Sequence, residues 1–143
     1  MILIGVDPGA TAGIALIDFT PTTLDVKVLE LHEVPDGEML KVLDGMIKGC
    51  PQGIDYIIHE NWVHFTTARN AYTTLTAIGC GKVIGMAYAL GIKNHHIPPG
   101  SYRMCERRWS DELAAYRSHS GAALKHALFF IYHVLKYHKL KVK

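Results

Sequence analysis

Two carboxylates stand where an apolar strand gives out. Asp7 follows the run Ile2 to Val6 and precedes Pro8-Gly9, and Glu60 follows Ile57-Ile58-His59. Ligands of α/β sheets gather at strand ends. If the two strands lie parallel and adjacent, both acids project from one sheet edge and could hold a hard divalent cation such as Mg²⁺ or Mn²⁺. Taken singly, Asp7 reads as a turn residue and Glu60 as a surface acid. His119, at the start of the last helix, offers a third ligand, since imidazole accepts Mn²⁺ and other divalent ions. Alone it reads as a capping or solvent-exposed histidine. Three residues on, on the same helix face, an acid would complete a four-ligand cage, but the residue there is Ala122.

A second chemistry is carried by cations. Residues 1–100 hold ten acids and six Lys/Arg, whereas residues 101–143 hold three acids and nine Lys/Arg, so the net +2 hides an acidic body and a basic C-terminal third. Such asymmetry suits a polyanion partner, or simply a solvated helix face and frayed tail. Arg103, Arg107 and Arg108 cluster with Tyr102 and Trp109 interleaved. Arg neutralises phosphates and aromatic rings stack on unpaired bases. The alternative is a basic surface loop with Trp109 in the core. Lys125, with His126 and Lys136 as lesser candidates, extends this strip along the last helix. Trp62, His64, Phe65 and Arg69 follow the Glu60 strand, where Trp62 and Phe65 read equally as core residues.

These groups need elements to hold them. Apolar and alternating runs predict strands at Met1–Val6, Gly13–Phe19, Leu24–Glu33, Ile54–Glu60 and Lys93–Ile97. Met39, Leu40, Leu43, Met46 and Ile47 recur at helical spacing, with Asp36 as N-cap and Gly49 as terminator. A long helix over about Ala68–Leu90 carries Gly79, Gly81 and Gly85. Asp111–Tyr116 reads as a short helix. The last helix runs over Ser120–Tyr137, with Leu124, Leu128, Ile131 and Leu135 as its buried stripe. The order β-β-β-α-β-α-β-α predicts an α/β fold: a mixed five-stranded sheet with helices on both faces, in one domain spanning 1–143.

Composition excludes other classes. With 49% hydrophobic and 20% charged residues the chain is not a disordered tail protein. The greasiest stretch, Ile78 to Ile92, is interrupted by four glycines and Lys82, so no membrane span is expected. The N-terminus lacks a basic n-region. Three widely spaced cysteines fit neither a disulfide framework nor a CxxC zinc site, which predicts a reduced, cytoplasmic protein.

Residues Ile2 to Gly13, ILIGVDPGATAG, resemble the opening motif of RuvC-type Holliday junction resolvases, within the RNase H-like superfamily. Ile57-Ile58-His59-Glu60-Asn61 resembles the family's second acidic strand. His119 to Leu128, HSGAALKHAL, resembles its C-terminal helix motif. The resemblance covers nearly the whole chain in matching order, and the short length and Glu-Asn-Trp segment are most similar to bacteriophage members. It implies an RNase H-like fold and a homodimer that cuts opposed strands of four-way or branched DNA. It further implies two Mg²⁺ or Mn²⁺ ions per active site, held by Asp7, Glu60 and His119, about 3.5–4 Å apart. Trp62, Phe65, Arg69, Arg103, Arg107, Arg108 and Lys125 would meet DNA, and the glycine-bearing long helix would meet the partner subunit or its own sheet.

Ala122 departs from the family pattern, which has a metal-binding aspartate there. The departure points to an inactivated form, whether by a deliberate change or as a natural variant. If natural, a non-catalytic branched-DNA-binding module follows directly. An RNase H-like nuclease acting on RNA is a further reading. An actin-like phosphate-binding ATPase is disfavoured, because the chain is too short for two lobes.

Overall fold

The computed structural model describes residues 1–61 and 71–143, with side chains of the long helix described from Thr74 onward. The expected DNA contacts Trp62, Phe65 and Arg69 lie outside the described residues. β1 (Ile2–Asp7), β2 (Thr11–Thr20) and β3 (Asp25–Pro35) form an antiparallel meander. After α1 (Asp36–Gly49), β4 (Tyr56–Glu60) joins β1 in parallel. After α2 (Ala71–Leu90), β5 (Lys93–Ile97) joins β4, again in parallel. Then come α3 (Tyr102–Arg108), α4 (His119–Phe129) and a π-helical turn, Phe130–Val134.

The sheet has six strands, not five, in the order β5-β4-β1-β2-β3-β6. The sixth, β6 (Lys141–Val142), pairs parallel to β3 at the far edge. Its source is the end of the last helix. Lys136 adopts a left-handed conformation (φ 64°), so the α-helical pattern predicted to Tyr137 stops and the chain doubles back. The Lys141 and Lys143 amides then donate to Leu24 and Val26 carbonyls at 2.8 and 3.0 Å. The basic tail is therefore partly sheet rather than a frayed end.

Both faces of the sheet are covered, which explains why β1 reads as an unbroken apolar run instead of an alternating one. On one face Leu3, Ala15, Ile17, Phe19 and Ile58 pack against Leu124, Leu128 and Ile131. On the other, Ile2, Ile4, Val6, Ile14 and Leu16 pack against Met39, Leu43, Val83 and Ala87. Strict alternation fails in β3. There the pairing Leu16–Glu30 is followed by Ile17–Val28, leaving Leu29 as a bulge. The bulge resets the phase, so Val26, Val28 and Leu31 all pack on the α4 side.

Two glycines let α4 lie unusually close. Gly5 of β1 and Gly13 of β2 both face α4. A Cβ at Gly5 would collide with the Ala123 carbonyl, and one at Gly13 with the His119 carbonyl. The helix thus rests on the sheet by its own backbone. Gly79 has a different task from the one its position in the long helix suggested: it packs on Pro8, beside the Asp7 turn, whereas a Cβ at Gly81 or Gly85 would meet nothing within 4 Å among the described residues. Asp36, expected as an N-cap, is the first residue of α1 and pairs with Lys82 of α2. Among the described residues no helix is long and apolar enough to cross a membrane.

Candidate active site

The register of β1 and β4 decides the centre. Val6 pairs with His59, so Asp7 and Glu60 stand side by side at the carboxyl ends of two parallel strands. Alternation turns both toward α4, on the face of Leu3 and Ile58. Glu60 is further fixed by the turn after β5. Gly100, in a left-handed conformation (φ 72°), donates its N–H to Glu60 Oε1, a turn geometry open to glycine at little cost.

Helix α4 supplies the rest. Its first residue, His119, donates Nδ1–H to Asp7 Oδ2 at 2.9 Å and is 55% exposed, so its other ring nitrogen remains for substrate or water. Ala122 lines the same open pocket as Asp7, Glu60, Tyr102, Arg117 and His119. A second pocket, with the Asp7-Pro8-Gly9 turn and Thr76, shares Asp7, Glu60 and His119. Each has a volume of about 360 Å³.

One turn beyond Ala122 on the same helix face comes His126. It is fully buried, and among the described residues neither ring nitrogen has a hydrogen-bond partner. Its Nε2 is 3.7 Å from Asp7 Oδ1, too long for a hydrogen bond. Among the described residues, Asp7, Glu60 and His126 form a group whose donor atoms all lie within 4.8 Å of one another. An unsatisfied buried polar atom costs about 1–3 kcal/mol, so a ring with two of them is an anomaly that a bound cation would relieve. His59, also buried, shares it only in part: its Nδ1–H donates to the Glu60 carbonyl at 2.9 Å, while its Nε2 has no partner among the described residues. Two carboxylates and an imidazole fit a divalent cation in charge and in donor chemistry.

The N-terminus of α4 is held from β3. Glu33 Oε1 accepts the Ser120 N–H at 3.0 Å. The Ser118 hydroxyl, and then the Ser120 amide, hold the Glu33 carboxyl below its usual value of 4.5. A group depressed in the folded state stabilises above its unfolded pKa, and that stability is lost as pH falls through the folded pKa. Glu33→Gln is expected to speed amide exchange in the first turn of α4 about two- to fivefold at neutral pH, as for loss of a charge at an exposed helix N-terminus. The difference from the unmodified chain should shrink as pH falls through the folded-state pKa of Glu33, below which both side chains are neutral.

The other expected DNA contacts divide. Arg103 and Arg107 are exposed one turn apart on α3. Arg108 is exposed but stacks over Tyr132 (4.3 Å) and donates to the His138 carbonyl. Trp109 is 6% exposed and packs edge-on to Tyr132, so it belongs to the core. Lys125 needs correction as a surface residue. It is 4% exposed, with Nζ 2.6 Å from Glu106, because α4 is enclosed by α3 as well as by the sheet. Two site residues escaped the sequence reading: Arg117, which lines the carboxylate pocket, and His126 as an inward group. For His126 the signal was there, in the spacing 119, 122, 126 along one helix face.

No protein-family model matches the sequence, and neither does any curated protein sequence. Solved structures do match. T. thermophilus RuvC in complex with a Holliday junction substrate superposes with TM-score 0.72 at 15% identity, over 96% of each chain. Thermus thermophilus RuvC alone gives 0.69 at 17% identity, over 95% of this chain and 96% of that one. The fowlpox virus Holliday junction resolvase gives 0.60 at 13% identity, over 94% and 99%. From its first strand to its last helix, this chain has the RNase H-like fold of the RuvC-type Holliday junction resolvases.

Proposed function

We propose that the protein is a metal-dependent, structure-selective endonuclease that binds four-way or other branched DNA and hydrolyses phosphodiesters in paired cuts. The observation that carries this reading is the meeting of Asp7, Glu60 and two imidazoles at the sheet edge, with Arg117 and Tyr102 on the same pocket. The solved resolvases with which the fold is shared include complexes with junction DNA.

Bound Mg²⁺ or Mn²⁺, two ions in the fullest form of such a site, would polarise the scissile phosphate and supply hydroxide at neutral pH. The chain's residues do the remaining work. Asp7 and Glu60 bring the negative charge that holds cations. His119 orients Asp7 through Nδ1 and keeps its other nitrogen for a ligand or a proton. Arg117 and the exposed Arg103 and Arg107 attract the phosphates on either side. Attack of water oxygen on phosphorus breaks the bond to the 3′ oxygen, leaving a 5′-phosphate and a 3′-hydroxyl.

Paired cuts imply a homodimer. Ile78, Gly81, Gly85 and Tyr88 recur at heptad spacing along α2; among the described residues Ile78 and Tyr88 are exposed and nothing fills the space above either glycine. Ala122 favours a second reading, in which catalysis is weak or absent and the protein is a branched-DNA-binding module. Its place of action in either case would be the cytoplasm.

A synthetic four-way junction, a linear duplex of the same sequence and an RNA–DNA hybrid separate the readings. Junction affinity at least tenfold above duplex, with symmetric nicks in Mn²⁺, is expected. Junction binding without nicks in any divalent ion would leave the binding module. Preference for the hybrid would move the substrate to RNA.

A further inference from the structure

We propose that His126 is a direct metal ligand, and that it makes this a two-carboxylate, one-imidazole centre that prefers Mn²⁺ and later transition ions to Mg²⁺. The inference deepens the nuclease reading and rests on it for its biological meaning, but the metal site stands on its own geometry.

Three observations converge on the ring. It is wholly buried, yet among the described residues both nitrogens lack partners, whereas buried His59 has only its Nε2 unpaired and is anchored to a carbonyl through Nδ1. Native structures rarely leave such atoms unpaired unless a water or ion completes them. Its Nε2 faces Asp7 Oδ1 at 3.7 Å, within a group that includes Glu60. Donors that share one ion at about 2.1 Å each stand roughly 3–4 Å apart, whereas donors sharing a proton stand closer. Tyr102 packs edge-on against the ring, with centroids 5.7 Å apart, and holds its plane.

The residue at 122 completes the argument. Ala122 presents only a methyl group to the pocket between α4 and the two acids. His126 lies one helical turn further along the same face, and its ring brings a nitrogen within 4.8 Å of both carboxylates. The site thereby keeps a third donor while exchanging an anionic oxygen for a neutral nitrogen. Mg²⁺ demands oxygen ligands and dehydrates reluctantly. Mn²⁺, Co²⁺ and Zn²⁺ accept imidazole with increasing affinity.

The test needs no DNA. Long-range ¹H–¹⁵N spectra of the intact protein report each imidazole nitrogen, and Zn²⁺ is a diamagnetic probe. Added Zn²⁺ is expected to shift His126 Nε2, with the shift absent in Asp7→Asn. Calorimetry should give Mn²⁺ binding at least about tenfold tighter than Mg²⁺. His126→Gln should erase that preference and weaken Mn²⁺ at least about tenfold, with circular dichroism and melting confirming that the variant folds. Zn²⁺ binding that leaves the His126 resonances unmoved would overturn the proposal, as would equal Mn²⁺ and Mg²⁺ affinities in the unmodified chain. Should His126 ligate the ion while no branched substrate is cut, the metal site stands and the nuclease reading falls. Cutting without any His126 shift does the reverse.

Discussion

Asp7→Asn is expected to reduce metal-supported cleavage of a four-way junction by about a thousandfold or more, the scale on which removing a central electrostatic group acts. Asp7 is where the site's contacts converge: one oxygen takes the His119 N–H at 2.9 Å and the other faces His126 Nε2 at 3.7 Å. An asparagine fits this frame without strain. Its carbonyl can accept from His119 and its amide can donate to the unpaired His126 nitrogen, while one of two crowded carboxylates is removed. The variant should therefore melt no lower than the unmodified protein, and should be more stable by about 1 kcal/mol if the new hydrogen bond forms. Loss of function with gain of stability marks a residue kept for chemistry rather than for folding. Single-turnover nicking in Mn²⁺ and a melting curve test both halves. Nicking within tenfold of the unmodified rate would remove Asp7 from the reaction.

Ala122→Asp should act in the opposite direction, raising nicking in Mg²⁺ by about a hundredfold. The position opens on the pocket that Asp7 and Glu60 share, so a carboxylate there adds a third anionic oxygen for an ion that wants oxygen. The gain should be smaller in Mn²⁺, which His126 already serves. Without metal, three neighbouring carboxylates repel, so the variant should melt lower and recover its stability as cation is added. Equal cutting by both forms would mean that Asp7, Glu60 and the imidazoles suffice. Junction binding by both with cutting by neither would establish the binding module.

The sequence carried the parts of this architecture that repeat. Buried strands read as apolar runs, and α1 and α4 show their stripes at helical spacing. Asp7 and Glu60 were legible because each ends such a run. What escaped depends on tertiary context. β6 has two residues, Lys141 and Val142, and exists only because the chain turns at Lys136 to meet β3. α3 has only one fully buried side chain, Cys105, too few to set a period, and the predicted helix at Asp111–Tyr116 is a run of turns instead. Lys125 and His126 are adjacent and both polar, and nothing local says that one pairs with Glu106 beneath α3 while the other enters the site. The bulge at Leu29 left no mark except an alternation that changed phase.

The contact of α4 with Gly5 and Gly13 makes the spacing between helix and sheet an adjustable dimension. Neither glycine touches a ligand atom, yet both sit under the backbone that carries His119 and His126. A methyl group at either position would work as a shim, lifting one end of the helix and widening the gap between imidazole and carboxylate. Gly13 lies beneath His119 and Gly5 beneath Ala123, so the two shims would tilt the helix about different points. The aperture of the site, and with it the radius of ion it would accept, would therefore answer to two residues that offer no side chain of their own.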